Sequence, residues 1–200
     1  MIRVAIAEDQ GLVRDALAQL LSREADFTIV GEAATGTEAL ALAERQPDIM
    51  LLDVEMPEMD GIAACRQILA RYPNIRVVML TTFARPGALR QALAAGARGF
   101  LLKDDPVTVL AEKLRAVAEG ERSVDAELAI SAMVAGQSPL TPRETEILRA
   151  AANGCSAAAI ARQLFLSEGT VRNYLSVIIQ KLGVENRIQA FHRAEDNGWL

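Results

Sequence analysis

Asp53 closes the apolar run "DIMLLD" (48–53), and a carboxylate at the end of a buried strand is costly unless it is paired or bound to a cation. Other apolar runs end in comparable chemistry. Glu8 and Asp9 follow "IRVAIA" (2–7), Thr81 ends "IRVVMLT" (75–81), and Lys103 ends "GFLLK" (99–103). Carboxylates at close range cannot all remain ionised without positive charge among them. Lys103 and one Mg²⁺ would together carry +3 against the −3 of Glu8, Asp9 and Asp53. An all-oxygen donor set with few protein ligands suits Mg²⁺ rather than Zn²⁺. The chemistry therefore depends on whether the fold brings these ends together.

With "FTIVGEA" (27–33), the apolar runs make five candidate strands. Helical periodicity fills the intervals: Leu12, Ala16, Leu17, Leu20 and Leu21; Ala39, Leu40 and Ala43; Ile62, Cys65, Ile68 and Leu69; Leu89 and Leu93. A fifth stretch opens at Pro106, carries Val109, Leu110, Leu114 and Val117, and stops at Gly120. Strands that are apolar throughout, alternating with helices, imply a parallel sheet covered on both faces. The expectation is an α/β doubly wound (βα)5 domain over residues 1–120, with the flavodoxin-like strand order 2-1-3-4-5. In such a sheet ligands bind beyond the carboxyl ends of the strands, and this order makes the ends of strands 1 and 3 neighbours.

Each polar residue alone has a plain reading. Asp53 could cap a turn, Glu8 and Asp9 could favour a helix N-terminus, Thr81 could be an ordinary β-former, and Lys103 could be a solvated strand end. All of them on one sheet edge is a different matter.

"AEDQ", "LLDVEMPEMDG", "MLTTF" and "GFLLKDD" resemble the receiver domain of bacterial two-component response regulators. The resemblance implies that Asp53 is the phosphoacceptor, taking a phosphoryl group from a sensor histidine kinase. It implies Asp9 and Asp53 as Mg²⁺ ligands, with the backbone carbonyl of Glu55, and Glu8 acting indirectly through charge and water. Lys103 would pair with the phosphoryl group and Thr81 would hydrogen-bond to it, while Phe100 matches the aromatic switch residue. Two features depart from the pattern. Asp104 follows Lys103 where many receivers have proline, which here waits until position 106, and Phe83 and Glu55 flank the site, where they would alter water access.

Residues 121–139 end in "VAGQSP" and read as a linker with room for a short helix over 125–134. From 140 to 200 the texture is all-helical. Thr141 caps "TPRETEILRAAANG", "SAAAIARQL" follows, Ser167 caps "SEGTVRNYLSVIIQKLG", and "NRIQAFHRAEDNG" comes last. Two short helices joined by a tight turn, the second amphipathic, read as a helix-turn-helix. In that second helix Val171, Leu175, Ile178 and Leu182 share one face. Gly169, Arg172, Asn173, Ser176 and Gln180 share the other, which we read as free of acids. Such a face suits base edges in a major groove and equally a plain solvated surface. The stretch as a whole resembles the LuxR-type helix-turn-helix of the NarL/FixJ regulators, a four-helix domain. That resemblance implies 156–163 as scaffold helix, 167–182 as recognition helix, Arg172, Asn173 and Ser176 toward bases, and Thr170 and Lys181 toward phosphates. The partners implied are a histidine kinase, double-stranded promoter DNA and a second copy of the chain, as a homodimer when phosphorylated.

Composition is compatible with this and excludes some classes. Residues 1–130 hold 14 Lys and Arg against 20 Asp and Glu, a net −6, and residues 138–200 hold 7 against 6, a net +1. Charge alone would not mark the second part as a nucleic-acid binder. No run approaches the roughly 18 apolar residues of a membrane span, and "MIRVAIAEDQ" lacks the apolar core of a signal peptide. A cytoplasmic location without membrane association is expected. Cys65 and Cys155 lack metal-site company and read as buried free thiols.

Two rival readings remain. A Mg²⁺-dependent aspartyl-phosphate phosphatase would carry DxD after its first strand and a substrate cap. A LuxR-type regulator gated by a small ligand would need neither Thr81 nor Lys103. The sequence reading is a transcription factor rather than an enzyme.

Overall fold

Apolar strands become legible once both sheet faces are seen to be covered. In the computed structural model every residue is described except Phe83, Ala84, Ala135, Gln137 and Asn153, and the side chains of Glu127, Ser131 and Val134. Strands β1 (Ile2–Ala7), β2 (Phe27–Ala33), β3 (Ile49–Asp53), β4 (Arg76–Thr81), β5 (Gly99–Leu102) and β6 (Ser123–Val124) form one sheet in the order β2-β1-β3-β4-β5-β6. Every pairing is parallel. The expected order 2-1-3-4-5 is present. β6 adds to it beyond Gly120, where the sequence pointed to a linker, because a two-residue strand has no periodicity to read.

Register places like with like. Val4 pairs with Ile49, Leu51 with Val78 and Leu80 with Leu101. These side chains meet Leu17 and Leu21 of α1 (Gly11–Leu21) and Leu110, Leu114 and Val117 of α5 (Val107–Ala118). The opposite face is covered by α2 (Gly36–Leu42), α3 (Gly61–Arg71) and α4 (Pro86–Ala95). Two positions of the expected periodic set, Leu12 and Ala16, are exposed. Leu12 is 86% exposed, because five residues before Leu17 a helix has turned about 140° away.

The chain divides into two compact units, the second built mainly from residues 131–200. Helix α6 (Ala126–Val134) runs across that division. The second unit comprises α7 (Pro142–Ala151), α8 (Ala157–Leu164), α9 (Glu168–Leu182) and α10 (Arg187–Asp196), opened by Thr141, Ser156, Ser167 and Asn186, each accepting a backbone N–H of its own first turn. Ile147, Leu148, Ile160, Val171, Leu175, Ile178, Leu182 and Ala190 make its core, with Trp199 packed against it. Cys155 is only half-buried, and both thiols are free.

One charge is buried in this unit. Glu144 receives the backbone N–H of Thr141 at 2.7 Å, and its own N–H donates to Thr141 Oγ1 at 3.3 Å, a capping box. The Lys181 ammonium donates to both Glu144 carboxylate oxygens, at 2.7 and 2.8 Å, and so ties α9 to the start of α7. Burial alone would raise the Glu144 pKa; the hydrogen bonds from Lys181 and Thr141 outweigh it and hold the carboxyl below its ordinary value. A folded-state pKa below the unfolded one gives stability that is present above the ordinary value of 4.5 and lost as pH falls through the folded value. Glu144→Gln should therefore cost roughly 1–3 kcal/mol at pH 7 and flatten the acid limb of the stability curve. Urea denaturation followed by fluorescence of Trp199, the single tryptophan, checks this; an unchanged acid limb would refute it.

Candidate functional site

The carboxyl edge of the sheet carries the chemistry. β1 runs into Glu8 and Asp9, its neighbour β3 ends on Asp53, β4 ends on Thr81, and Lys103 follows β5. The Lys103 N–H donates to the Thr81 carbonyl at 2.8 Å, which fixes the last two strand ends against each other. Asp53 is held from below by a close approach: a Cβ on Gly61, the first residue of α3, would lie 1.9 Å from the Asp53 carbonyl oxygen. Only glycine fits there.

Asp53 and Glu8 are buried, at 4% and 1% exposure. The Lys103 ammonium lies 2.9 Å from Asp53 Oδ2 and 2.9 and 2.7 Å from the two oxygens of Glu8. Asp53 Oδ1 accepts a long hydrogen bond, 3.4 Å, from the Glu55 N–H, and Glu8 Oε1 one of 3.1 Å from the Gln10 N–H. Asp9 is exposed at the rim. Glu8, Asp9 and Asp53 each offer an oxygen within 4.8 Å of the others. Asp9 and Asp53, with Gln10, Glu55, Thr81, Thr82 and Lys103, line a cleft of about 240 Å³.

One ammonium faces three carboxylates, and the protonation equilibria follow. Burial pushes the Asp53 and Glu8 carboxyls up, and their hydrogen bonds to Lys103 do not fully compensate. Burial would lower the lysine, but the hydrogen bonds to Glu8 and Asp53 raise it. Glu8 Oε2, also buried, has the ammonium at 2.7 Å as its ion-pair partner. A net charge of −2 on oxygen donors fits a hard divalent cation.

The sequence-predicted residues Glu8, Asp9, Asp53, Glu55, Thr81 and Lys103 thus meet in one place. Thr81 is buried there. Phe100, 1% exposed, pairs with Met79 two residues before Thr81 and so lies on the same sheet face. Phe83 lies outside the described residues. Sequence reasoning missed Arg14, whose Nη1 donates to the Glu8 carbonyl at 2.7 Å and whose Nε lies 3.7 Å from Glu32. Its signal was a base one turn into the helix that follows the acids.

On α9 the expected faces hold. Val171, Leu175, Ile178 and Leu182 are buried, and Gly169, Arg172, Asn173, Ser176 and Gln180 are exposed. Our reading of that surface as acid-free needs correction, because Glu168, one turn before Arg172, pairs with its guanidinium. Thr170 is half-buried with its hydroxyl 2.8 Å from Ser167 Oγ, and Lys181 is engaged by Glu144.

Residues 4–115 match the family described as response regulator receiver domain, and residues 138–194 match the bacterial regulatory proteins of the luxR family. The chain belongs to the two-component response regulators. It acts as a transcription factor of the NarL/LuxR type, with an N-terminal receiver and a C-terminal helix-turn-helix. Along its whole length it is 45% identical to the transcriptional regulatory protein YvfU and 42% identical to the transcriptional regulatory protein DesR, both of Bacillus subtilis, and covers 100% of each. Among solved structures it resembles the RcsB response regulator in an RcsB–DNA complex, with 27% identity, 98% of each chain covered and a TM-score of 0.70.

Because Gly61 abuts the Asp53 backbone, Gly61→Ala should displace Asp53 and destabilise the receiver by roughly 1–3 kcal/mol, the range for overpacking a close contact. Thermal denaturation of the two proteins measures it; equal midpoints would show that the close approach is dispensable.

Proposed function

We propose that Asp53 accepts a phosphoryl group from a sensor histidine kinase and that the acyl phosphate controls binding of α9 to double-stranded promoter DNA. The observation that carries this is a buried Asp53, 2.9 Å from the Lys103 ammonium, opening into a cleft shared with Asp9 and Thr81. A carboxylate oxygen of Asp53 attacks phosphorus, the bond from phosphorus to the kinase imidazole breaks, and the electron pair stays on that nitrogen. Such a transfer needs positioning and charge neutralisation above all. Lys103 provides one charge. Asp9, Asp53 and the Glu55 carbonyl would hold Mg²⁺, with Glu8 contributing indirectly. When bound, the ion supplies positive charge against the phosphoryl oxygens.

Once the phosphoryl group is on Asp53, Thr81 moves to donate its hydroxyl to it. Phe100, on the same face of the sheet, takes up the space Thr81 leaves. A local charge change thereby biases a two-state surface, and the state so favoured forms a homodimer. A dimer presents two copies of α9, and its site contains two related half-sites. Arg172, Asn173 and Ser176 face bases, and Thr170 faces phosphate. Lys181 reaches phosphate only by leaving Glu144. No helix among the described residues is long and apolar enough to cross a membrane, and we place the chain in the cytoplasm, beside its kinase and its DNA. In this reading it is a phosphoacceptor and DNA reader, not a turnover enzyme.

Incubation with a small acyl-phosphate donor and Mg²⁺ should add one phosphoryl group by intact mass and shift sedimentation toward a dimer, and Asp53→Ala should do neither. An adduct of undiminished yield in Asp53→Ala would overturn the assignment.

Arg172→Ala should weaken DNA binding by roughly 1–3 kcal/mol per half-site and relax preference at one base position. Titration onto selected and scrambled duplexes tests it. Equal losses on every duplex would deny Arg172 a base-reading role.

A further inference from the structure

Phe165 is 96% exposed in the turn between α8 and α9. A lone exposed apolar residue needs no explanation, but this one is also held in the left-handed region, at φ 54° and ψ 45°. That conformation is disfavoured for residues with a Cβ, and for a bulky side chain it is an outlier. The geometry itself has a clear purpose. It closes α8, with the Phe165 N–H bonded to the Ala161 carbonyl and the Leu166 N–H to the same carbonyl at 2.9 Å.

At such a helix end glycine is the residue of choice, and asparagine the next. The chain itself follows that rule one helix later: α9 ends on Gly183 at φ 62° and ψ 42°, nearly the same backbone geometry. Gly96, Gly120, Gly136, Gly154 and Gly198 also have positive φ, and besides Phe165 the non-glycine residues that do so among those described are the polar Gln46 and Glu58. The packing of the turn is supplied by its neighbours, because Leu166 joins the C-terminal core and Ser167 caps α9. The Phe165 ring is therefore exposed to water at a position that disfavours it, with no core contact to offset either cost.

We propose that the Phe165 ring is a DNA contact, packing on the apolar edge of the duplex beside the bases read by α9. This rests on the DNA-reading role proposed above. The turn leads directly into the N-terminal end of the recognition helix, the part that meets base edges. From 156 to 167 the chain carries Arg162 and no acid, and the next residue, Glu168, is paired with the Arg172 guanidinium. Phenylalanine is suited to the apolar features a groove offers, the thymine methyl above all.

The test uses the full chain, phosphorylated with a small acyl-phosphate donor and Mg²⁺, and the duplex that wild type selects from a random pool. Phe165→Gly and Phe165→Asn should keep or raise the midpoint of thermal unfolding, since both tolerate the turn, and should each lose roughly tenfold in affinity per half-site, as expected for losing one small apolar contact. Phe165→Leu should restore most of the affinity. Replacing thymine by deoxyuridine, one position at a time, should weaken wild type at the contacted base and leave Phe165→Gly indifferent; a wild type indifferent everywhere would place the ring on the deoxyribose, with the tenfold loss retained. Unchanged affinity in folded Phe165→Gly and Phe165→Asn overturns the proposal, as does a lowered unfolding midpoint in both, which would make the ring structural. If wild type selects no duplex at all, the DNA reading itself falls and takes this proposal with it. If wild type selects and Arg172→Ala is weakened while the Phe165 variants are not, only this proposal falls.

Discussion

A single ammonium held between two buried carboxylates is the constraint around which the receiver unit is arranged. Lys103 reaches Glu8 and Asp53 at 2.7–2.9 Å, and removing one partner from a buried ion pair typically costs about 3–5 kcal/mol. The strands that deliver the three groups must therefore end level with one another, and parallel pairing in this order does that. Below the edge, β3 and the buried stretches of β1, β4 and β5 are apolar because both faces are covered there.

The C-terminal unit contains a third buried carboxylate, Glu144, and comparison with the other two shows what separates a site from a strut. Glu144 is served by the Thr141 N–H and by an ammonium that gives both its bonds to this one group, so its pKa falls. Glu8 and Asp53 share one ammonium, and their burial, which that ammonium does not offset, raises both pKa values. The first arrangement is electrostatically complete. The second is short of positive charge, which is the condition under which a cation, and then a phosphoryl group that needs neutralising, would be taken up.

Much of this was legible from residue types. Five of the strands and the helices between them follow from apolar runs and 3.6-residue spacing, and the buried face of α9 is the one its spacing predicts. The failures have local causes. Leu12 matched an apolar pattern that the helix turns away from the core. β6 is too short to leave a pattern. Glu168 escaped notice because it opens the helix, and only the folded backbone sets it under Arg172.

What the sequence determined by itself was the identity of the elements and the inventory of charges, since periodicity and composition are properties of the chain alone. The motifs that carry Asp53, Thr81 and Lys103 are likewise properties of the chain alone. Tertiary structure decided which charges are shared and which are spent. Lys181 looked free for phosphate in the sequence, and packing of α9 on α7 commits it to Glu144, 37 residues away. Arg14 became part of the acidic edge only when α1 docked beside β1 and β2. Contacts between residues distant in the chain carry no local pattern, so their partners are assigned by the fold.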